Sequence, residues 1–205
     1  MPATDRPGET SSSRRPRVGV YPGTFNPFTV GHLEVVESAY EQRDLDRVHL
    51  AVSRVPLAKD EIEIPTFEHR IQSLRDVVLE HPWLDLVVTD DRLLVDIAAG
   101  YDVLIMGADK WHQIQNPLFY GGSDTARDEA MAALPELAVA PRPPQEVPAD
   151  LLIDVPHAIY EVSSTAVRGG AHDWMHPAVA AFDDEYHPWS DPESYRRRFI
   201  DPATA

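Results

Sequence analysis

The 205-residue chain carries 18 Lys and Arg against 34 Asp and Glu, a formal charge of −16, and it has no cysteine. That charge leaves no basic footprint for nucleic acid and repels anionic membranes. The missing thiols exclude disulfides, thiolate zinc sites and a Cys nucleophile. Stability must come from a hydrophobic core, and a hydrophobic content of 43% over this length is enough for a single domain.

The polar stretch 1–16 reads as a disordered leader without the apolar run of a signal peptide, and no segment is apolar for long enough to span a membrane, so the cytoplasm is the default location. Arg17-Val-Gly-Val-Tyr21 predicts a strand, and Pro22 to Thr29 a turn-rich loop. From Gly31, the spacing of Leu33, Val36, Ala39 and Tyr40 predicts a helix ending near Arg43. Val48–Val52 is the next strand, followed by a long loop through Ile64 and a helix from Thr66 to about Glu80. Leu84–Val88 reads as a strand, Leu93–Ala99 as a helix stopped by Gly100, and Asp102–Met106 as a buried parallel strand. Thr125–Leu134 is helical by pattern, Leu137–Ala140 is a strand and Pro141–Pro148 a Pro-rich loop. Alternating β and α elements with short apolar strands predict an α/β fold, a Rossmann-like parallel sheet with helices on both faces. The domain is expected over 17–185, with 186–205 as a C-terminal tail holding Arg196-Arg197-Arg198. Ligands of such sheets sit beyond the carboxyl ends of the strands, which directs attention to the loops after Tyr21, Val52, Met106 and Val162.

The loop after the first strand carries the densest chemistry. Gly23-Thr24-Phe25-Asn26-Pro27 is followed by Thr29-Val30-Gly31-His32 at a helix start, where free amides and the helix dipole favour an anion. A His there can donate a hydrogen bond to a phosphoryl oxygen as charge builds on it. Taken alone, a Gly and a His near a helix start are as well explained by a tight turn and a cap. The whole run, however, resembles the signature of the nucleotidyltransferases with an (H/T)-x-G-H motif, which transfer AMP or CMP from ATP or CTP to a phosphate and release pyrophosphate. Downstream, Val162-Ser163-Ser164-Thr165-Ala-Val-Arg168 resembles the superfamily's I-S-S-T-x-(I/V)-R segment, which binds the far phosphates of the nucleotide. Ser and Thr hydroxyls at a helix start and the Arg168 guanidinium suit that task.

Gly107-Ala108-Asp109 is similar to the G-A-D of nicotinate and nicotinamide mononucleotide adenylyltransferases, and Lys110-Trp111-His112-Gln113-Ile114 to their K-W-x-x-I, whose Trp stacks on the pyridine ring. Here the second segment follows Asp109 directly, where the family usually has intervening residues. Pro56-Leu-Ala-Lys59, with Phe67 and Arg70, resembles the family's P-x-x-K and F-x-x-R elements. Lys59 and Lys110 are the chain's only lysines, and both fall in these segments. Thr29 departs from the His usual in the mononucleotide enzymes and is typical of phosphopantetheine adenylyltransferases. The resemblance runs from about Val18 to Val179 and ends on Met175-His-Pro177-Ala-Val179, a helix opened by proline. His172 and His176 are four apart, but Pro177 breaks the helical face a metal would need, so no protein-held metal is expected there.

The resemblance implies in-line transfer of AMP from ATP to a small phosphorylated acceptor, most like nicotinate or nicotinamide mononucleotide in NAD biosynthesis. A phosphopantetheine adenylyltransferase, a cytidylyltransferase and a non-catalytic nucleotide-binding protein are the alternatives. The implied roles are as follows: His32, Thr29, Lys59 and Arg168 at the reacting phosphates, and Gly23, Thr24, Phe25, Asn26, Gly31, Gly107, Asp109, Ser163, Ser164 and Thr165 around the nucleotide. Asp109, Trp111 and Arg70 are implied at the acceptor, and Mg2+ is expected to accompany ATP. Neither nucleic acid nor membrane is an expected partner, and a homo-oligomer is left open.

Overall fold

The computed structural model describes residues 14–55 and 64–201. Five strands form one parallel sheet in the order β3-β2-β1-β4-β5: β1 (Val18–Pro22), β2 (Arg47–Ser53), β3 (Leu84–Thr89), β4 (Val103–Gly107) and β5 (Glu136–Ala140). The expected parallel sheet and its strands are therefore present. Side-chain alternation explains why both faces are covered. Val48, Leu50, Val52, Val103, Ile105 and Ala138 pack into one buried cluster, while Ala51, Leu104, Met106, Leu137 and Val139 pack into the other.

Two longer helices cover the first face: α1 (Val30–Gln42), with Val35, Val36 and Ala39 inward, and α2 (Phe67–Glu80), with Ile71, Leu74 and Val77 inward. Short α3 (Leu94–Ile97) and α4 (Ala108–Ile114) belong to the second face, and α5 (Asp124–Ala132) precedes β5. The α3 helix is shorter than its pattern predicted, and α4 replaces what reads in sequence as a loop. Gly107 supplies extended backbone as N-cap, and Asp109 lies in the first turn, where a carboxylate favours the helix dipole. The chain closes through α6 (Ser164–Arg168), α7 (Pro177–Tyr186, proline at its first position) and α8 (Pro192–Phe199).

The segment set apart by sequence as a tail is, through Asp201, packed on the sheet's first layer. Left-handed His187 (φ 58°) ends α7 and turns the chain back, so that Trp189 and Tyr195 are buried. The Tyr195 hydroxyl accepts from the Thr66 amide at 3.1 Å and meets His69 Nδ1 at 2.6 Å, which fixes the start of α2. Arg196, Arg197 and Arg198 fall in the last turn of α8, where cations offset the helix dipole.

Arg43, at the end of α1, donates to the carbonyls of Leu137, Leu151 and Leu152 at 3.1–3.3 Å and pairs with Glu136 at 3.3 Å. It thereby joins the first helix to β5, the edge strand, and to the segment after it. Arg43→Met keeps the aliphatic stem but leaves those carbonyls without their donor. It should lower stability by about 2 kcal/mol, measured by denaturant unfolding with an unchanged m-value.

Candidate functional site

In a sheet of this order the strand connections reverse direction between β1 and β4, and a crevice opens beyond their carboxyl ends. Two cavities occupy it. One, of about 270 Å3, is lined by residues that include Tyr21, His32, Gly107, Arg142, Tyr160 and Ser163 to Thr165. The other, of about 200 Å3, lies toward β2 and is lined by Gly23, Thr24, Arg92, Lys110, Phe119 and Tyr120 among others. The first-strand loop supplies residues to both.

Thr29 and His32 form a reciprocal capping box at the start of α1. The His32 amide donates to Thr29 Oγ1 at 3.2 Å, and the Thr29 amide donates to His32 Nδ1 at 3.0 Å, with Thr29 Oγ1 2.7 Å from the same nitrogen. Because Nδ1 accepts, the neutral ring carries its proton on Nε2, which is left as a donor in the cavity His32 lines. Phe28 stacks on the imidazole at 5.3 Å between centroids and Phe25 meets it edge-on at 5.4 Å. Burial, and secondarily the Arg142 cation, pushes the His32 pKa down to about 4. His32 is thus neutral at physiological pH. Thr29 is only 1% exposed, and its contacts hold the imidazole in place.

The two motifs are fastened to each other. Gly31 packs so closely on the segment before α6 that a Cβ would lie 2.9 Å from Val162 Cγ1. Ser164 Oγ donates to the Pro27 carbonyl at 2.7 Å, and the Arg168 guanidinium donates to the Asn26 carbonyl. Ser163 caps α6 by accepting from the Ala166 amide at 3.1 Å. Thr165 and Arg168 are exposed. Gly107 has no atom within 4 Å of where its Cβ would stand, so the cavity begins at its Cα.

Several expected residues are placed differently. Asn26 and Phe25 are buried, at 6% and 2% exposure, and Phe25 adopts φ 44°, a left-handed conformation unusual for an aromatic residue. They shape the loop from within. Asp109 binds Arg142 at 3.1 Å and Gln145 at 2.8 Å, anchoring the loop after β5. In the helical register of α4, Trp111 shares a face with Ala108 and Ile114 and packs on the second core cluster, while Lys110 and Gln113 line the smaller cavity. Trp111 lines neither cavity. Phe119 and Tyr120 are the aromatics that do, in the smaller one. Arg70, 4% exposed, sits with its guanidinium 5.7 Å from the Phe67 ring, away from both cavities. Lys59 lies outside the described residues.

Arg142, in the larger cavity, and Arg92, in the smaller, are cations that sequence reasoning missed. Of the two, Arg142 is the one whose charge reaches His32. Its signal was available, because it comes two residues after β5 and β5 ends beside β4, yet the surrounding prolines read only as a Pro-rich loop. Among the described residues no carboxylate lines either cavity. Glu80, His81 and His176 do place ligand atoms within 4.8 Å of one another, away from His172. His176 Nδ1, however, accepts from the Ala178 amide at 3.2 Å to cap α7, so its Nε2 is protonated and offers no lone pair to an ion.

Residues 20–170 match the family model described as cytidylyltransferase-like. Over 111 residues the chain is 27% identical to a probable nicotinate-nucleotide adenylyltransferase of Coprothermobacter proteolyticus, covering 49% of this chain and 57% of that protein. Over 90 residues it is 39% identical to a phosphopantetheine adenylyltransferase of Methylococcus capsulatus, covering 43% of this chain and 52% of the relative. The chain therefore spans about half the length of these curated relatives. In fold it resembles the Plasmodium falciparum nicotinic acid mononucleotide adenylyltransferase complexed with APC, with a TM-score of 0.60, 14% identity, and coverage of 86% of this chain and 98% of the other.

The buried state of His32 sets a pH dependence. The unfolded chain takes up a proton at this side chain near pH 6.5, whereas the folded chain does so only near pH 4. Between these values the unfolded state binds more protons, so this contribution is complete above pH 6.5 and is lost as pH falls toward 4. Burial lowers His49, His69 and His176 in the same direction. The thermal midpoint should fall on acidification from pH 7 to 5, and His32→Gln should flatten that slope, as followed by differential scanning calorimetry.

Proposed function

The chain belongs to the cytidylyltransferase-like family, and from that premise we propose that it is an adenylyltransferase. It would transfer AMP from ATP to the phosphate of nicotinate or nicotinamide mononucleotide, releasing pyrophosphate. The observation that carries the reading is the neutral His32, held by Thr29 so that Nε2–H is its donor in a cavity ringed by hydroxyls and Arg142.

ATP occupies the larger cavity, its triphosphate between the start of α1 and Ser163 to Thr165. The acceptor takes the smaller cavity, with its phosphate near Lys110 and Arg92 and its ring against Phe119 or Tyr120. An acceptor phosphate oxygen attacks the α-phosphorus in line; that P–O bond forms as the bond to the bridging oxygen of the β-phosphate breaks, and pyrophosphate leaves with the electron pair. The phosphate monoester is already a nucleophile, so no covalent enzyme intermediate is needed, and catalysis is positioning plus charge neutralisation. His32 donates to the oxygens of the reacting phosphates, and Arg142 and Arg168 add positive charge from two sides. Mg2+ would arrive as part of MgATP, since cavities lined by hydroxyls and amides without carboxylates leave its coordination to phosphate oxygens and water.

The phosphopantetheine reading is the competitor, favoured by Thr29 and by the relatives that bear that name. An acceptor panel of nicotinate mononucleotide, nicotinamide mononucleotide and phosphopantetheine, each with ATP or CTP, separates them through pyrophosphate release. Turnover with ATP and a pyridine mononucleotide is expected. Faster turnover with phosphopantetheine or with CTP would transfer the chain to a sister activity, and ATP-dependent thermal stabilisation without pyrophosphate would make it a binding protein. His32→Ala should lower kcat by about 100-fold or more while the protein stays folded; unchanged turnover would remove His32 from the mechanism.

A further inference from the structure

The family match ends at residue 170, yet the segment beyond it reaches the centre of the first-strand loop. Trp189, 4% exposed, donates from its indole Nε1 to Asn26 Oδ1 at 2.7 Å. The Asn26 amide nitrogen donates in turn to the Ile64 carbonyl at 3.0 Å, and its own carbonyl accepts from Arg168. Asn26 therefore joins the first-strand loop to three other segments: the chain leading into α2, α6, and the turn after α7 that carries Trp189. Both ends of its side chain are satisfied inside the protein. The buried carboxylate of Asp183 on α7 sets the approach of Trp189, accepting from the backbone amides of Trp189 at 2.8 Å and Ser190 at 3.2 Å.

We propose that Trp189 is a positioning residue of the nucleotide site, holding Asn26 so that the first-strand loop and the Ser163–Arg168 motif keep the spacing that a triphosphate requires. The proposal rests on the assignment of the larger cavity to ATP. An amide side chain is symmetric in shape but not in polarity. The indole donor is what fixes Oδ1 on one side and thereby directs the NH2 group to Ile64. Without that donor Oδ1 is buried and unpaired, which favours rotation of the side chain and release of the Asn26–Pro27 backbone that Arg168 and Ser164 hold. Trp189 lies more than 150 positions from the loop it orders, and nothing in the local pattern around Asn26 points to it.

The test is Trp189→Phe, which retains an aromatic ring beside Phe182 and removes the N–H donor together with part of the indole's volume. Calorimetric ATP binding, well below the unfolding temperature of either protein, should weaken by about tenfold, in addition to the lowered thermal midpoint that the unpaired Oδ1 and the smaller ring bring. A role confined to packing would lower the midpoint and leave ATP affinity unchanged, and that result overturns the proposal. A double-mutant cycle with Asn26→Ala adds a second criterion: if Trp189 acts through Asn26, W189F has no further effect in the N26A background, whereas full additivity overturns the assignment. If N26A does not fold, W189F alone decides by affinity against stability. Failure of the wild-type chain to bind ATP would remove the nucleotide assignment and this proposal together. Wild-type binding that W189F leaves intact removes only the role of Trp189.

Discussion

The reciprocal bond between Thr29 and His32 is the contact on which the site depends. One pair of residues satisfies the Thr29 and His32 amides, fixes where α1 begins and selects the imidazole tautomer. The Thr29 hydroxyl meets His32 Nδ1 at 2.7 Å. The aromatic packing of Phe25 and Phe28 around that ring keeps it neutral, and a neutral Nε2–H is the form compatible with an accepting Nδ1.

Charge separation follows from the same architecture. A chain of −16 is a poor host for a triphosphate unless its carboxylates are kept away from the crevice. Among the described residues they are: Asp109 sits at the edge, bound to Arg142 and Gln145, and no acidic side chain lines either cavity. Asp102 lies at the opposite end of the sheet, accepting from the Val18 amide at 2.9 Å and pairing with Arg15, which together hold its carboxyl below the usual range. Part of the negative charge thus stabilises a strand start, through Asp102, and the first turns of helices, through Glu68, Asp109, Asp124 and Glu193.

The order of the strands and longer helices, the parallel sheet and the two loop motifs that meet at the larger cavity were legible in the sequence alone, because each rests on local information: short apolar runs, helical spacing, and Gly, Ser and Thr at turns. Where the local signal was interrupted, the reading slipped. A seven-residue helix after Gly107 was too short to show periodicity, and Trp111, for which the family resemblance implies an acceptor role, is half-buried against the second core cluster. Prolines around Arg142 masked a residue whose importance comes from the neighbouring strand. Tertiary structure alone decided that Asn26 and Phe25 serve the loop's interior, that Arg168 grips a backbone carbonyl, and that residues near the C-terminus complete the loop near the N-terminus. The physical reason is the same in each case: a hydrogen bond between positions 26 and 189 depends on where two separate elements pack, and spacing along the chain does not encode that distance.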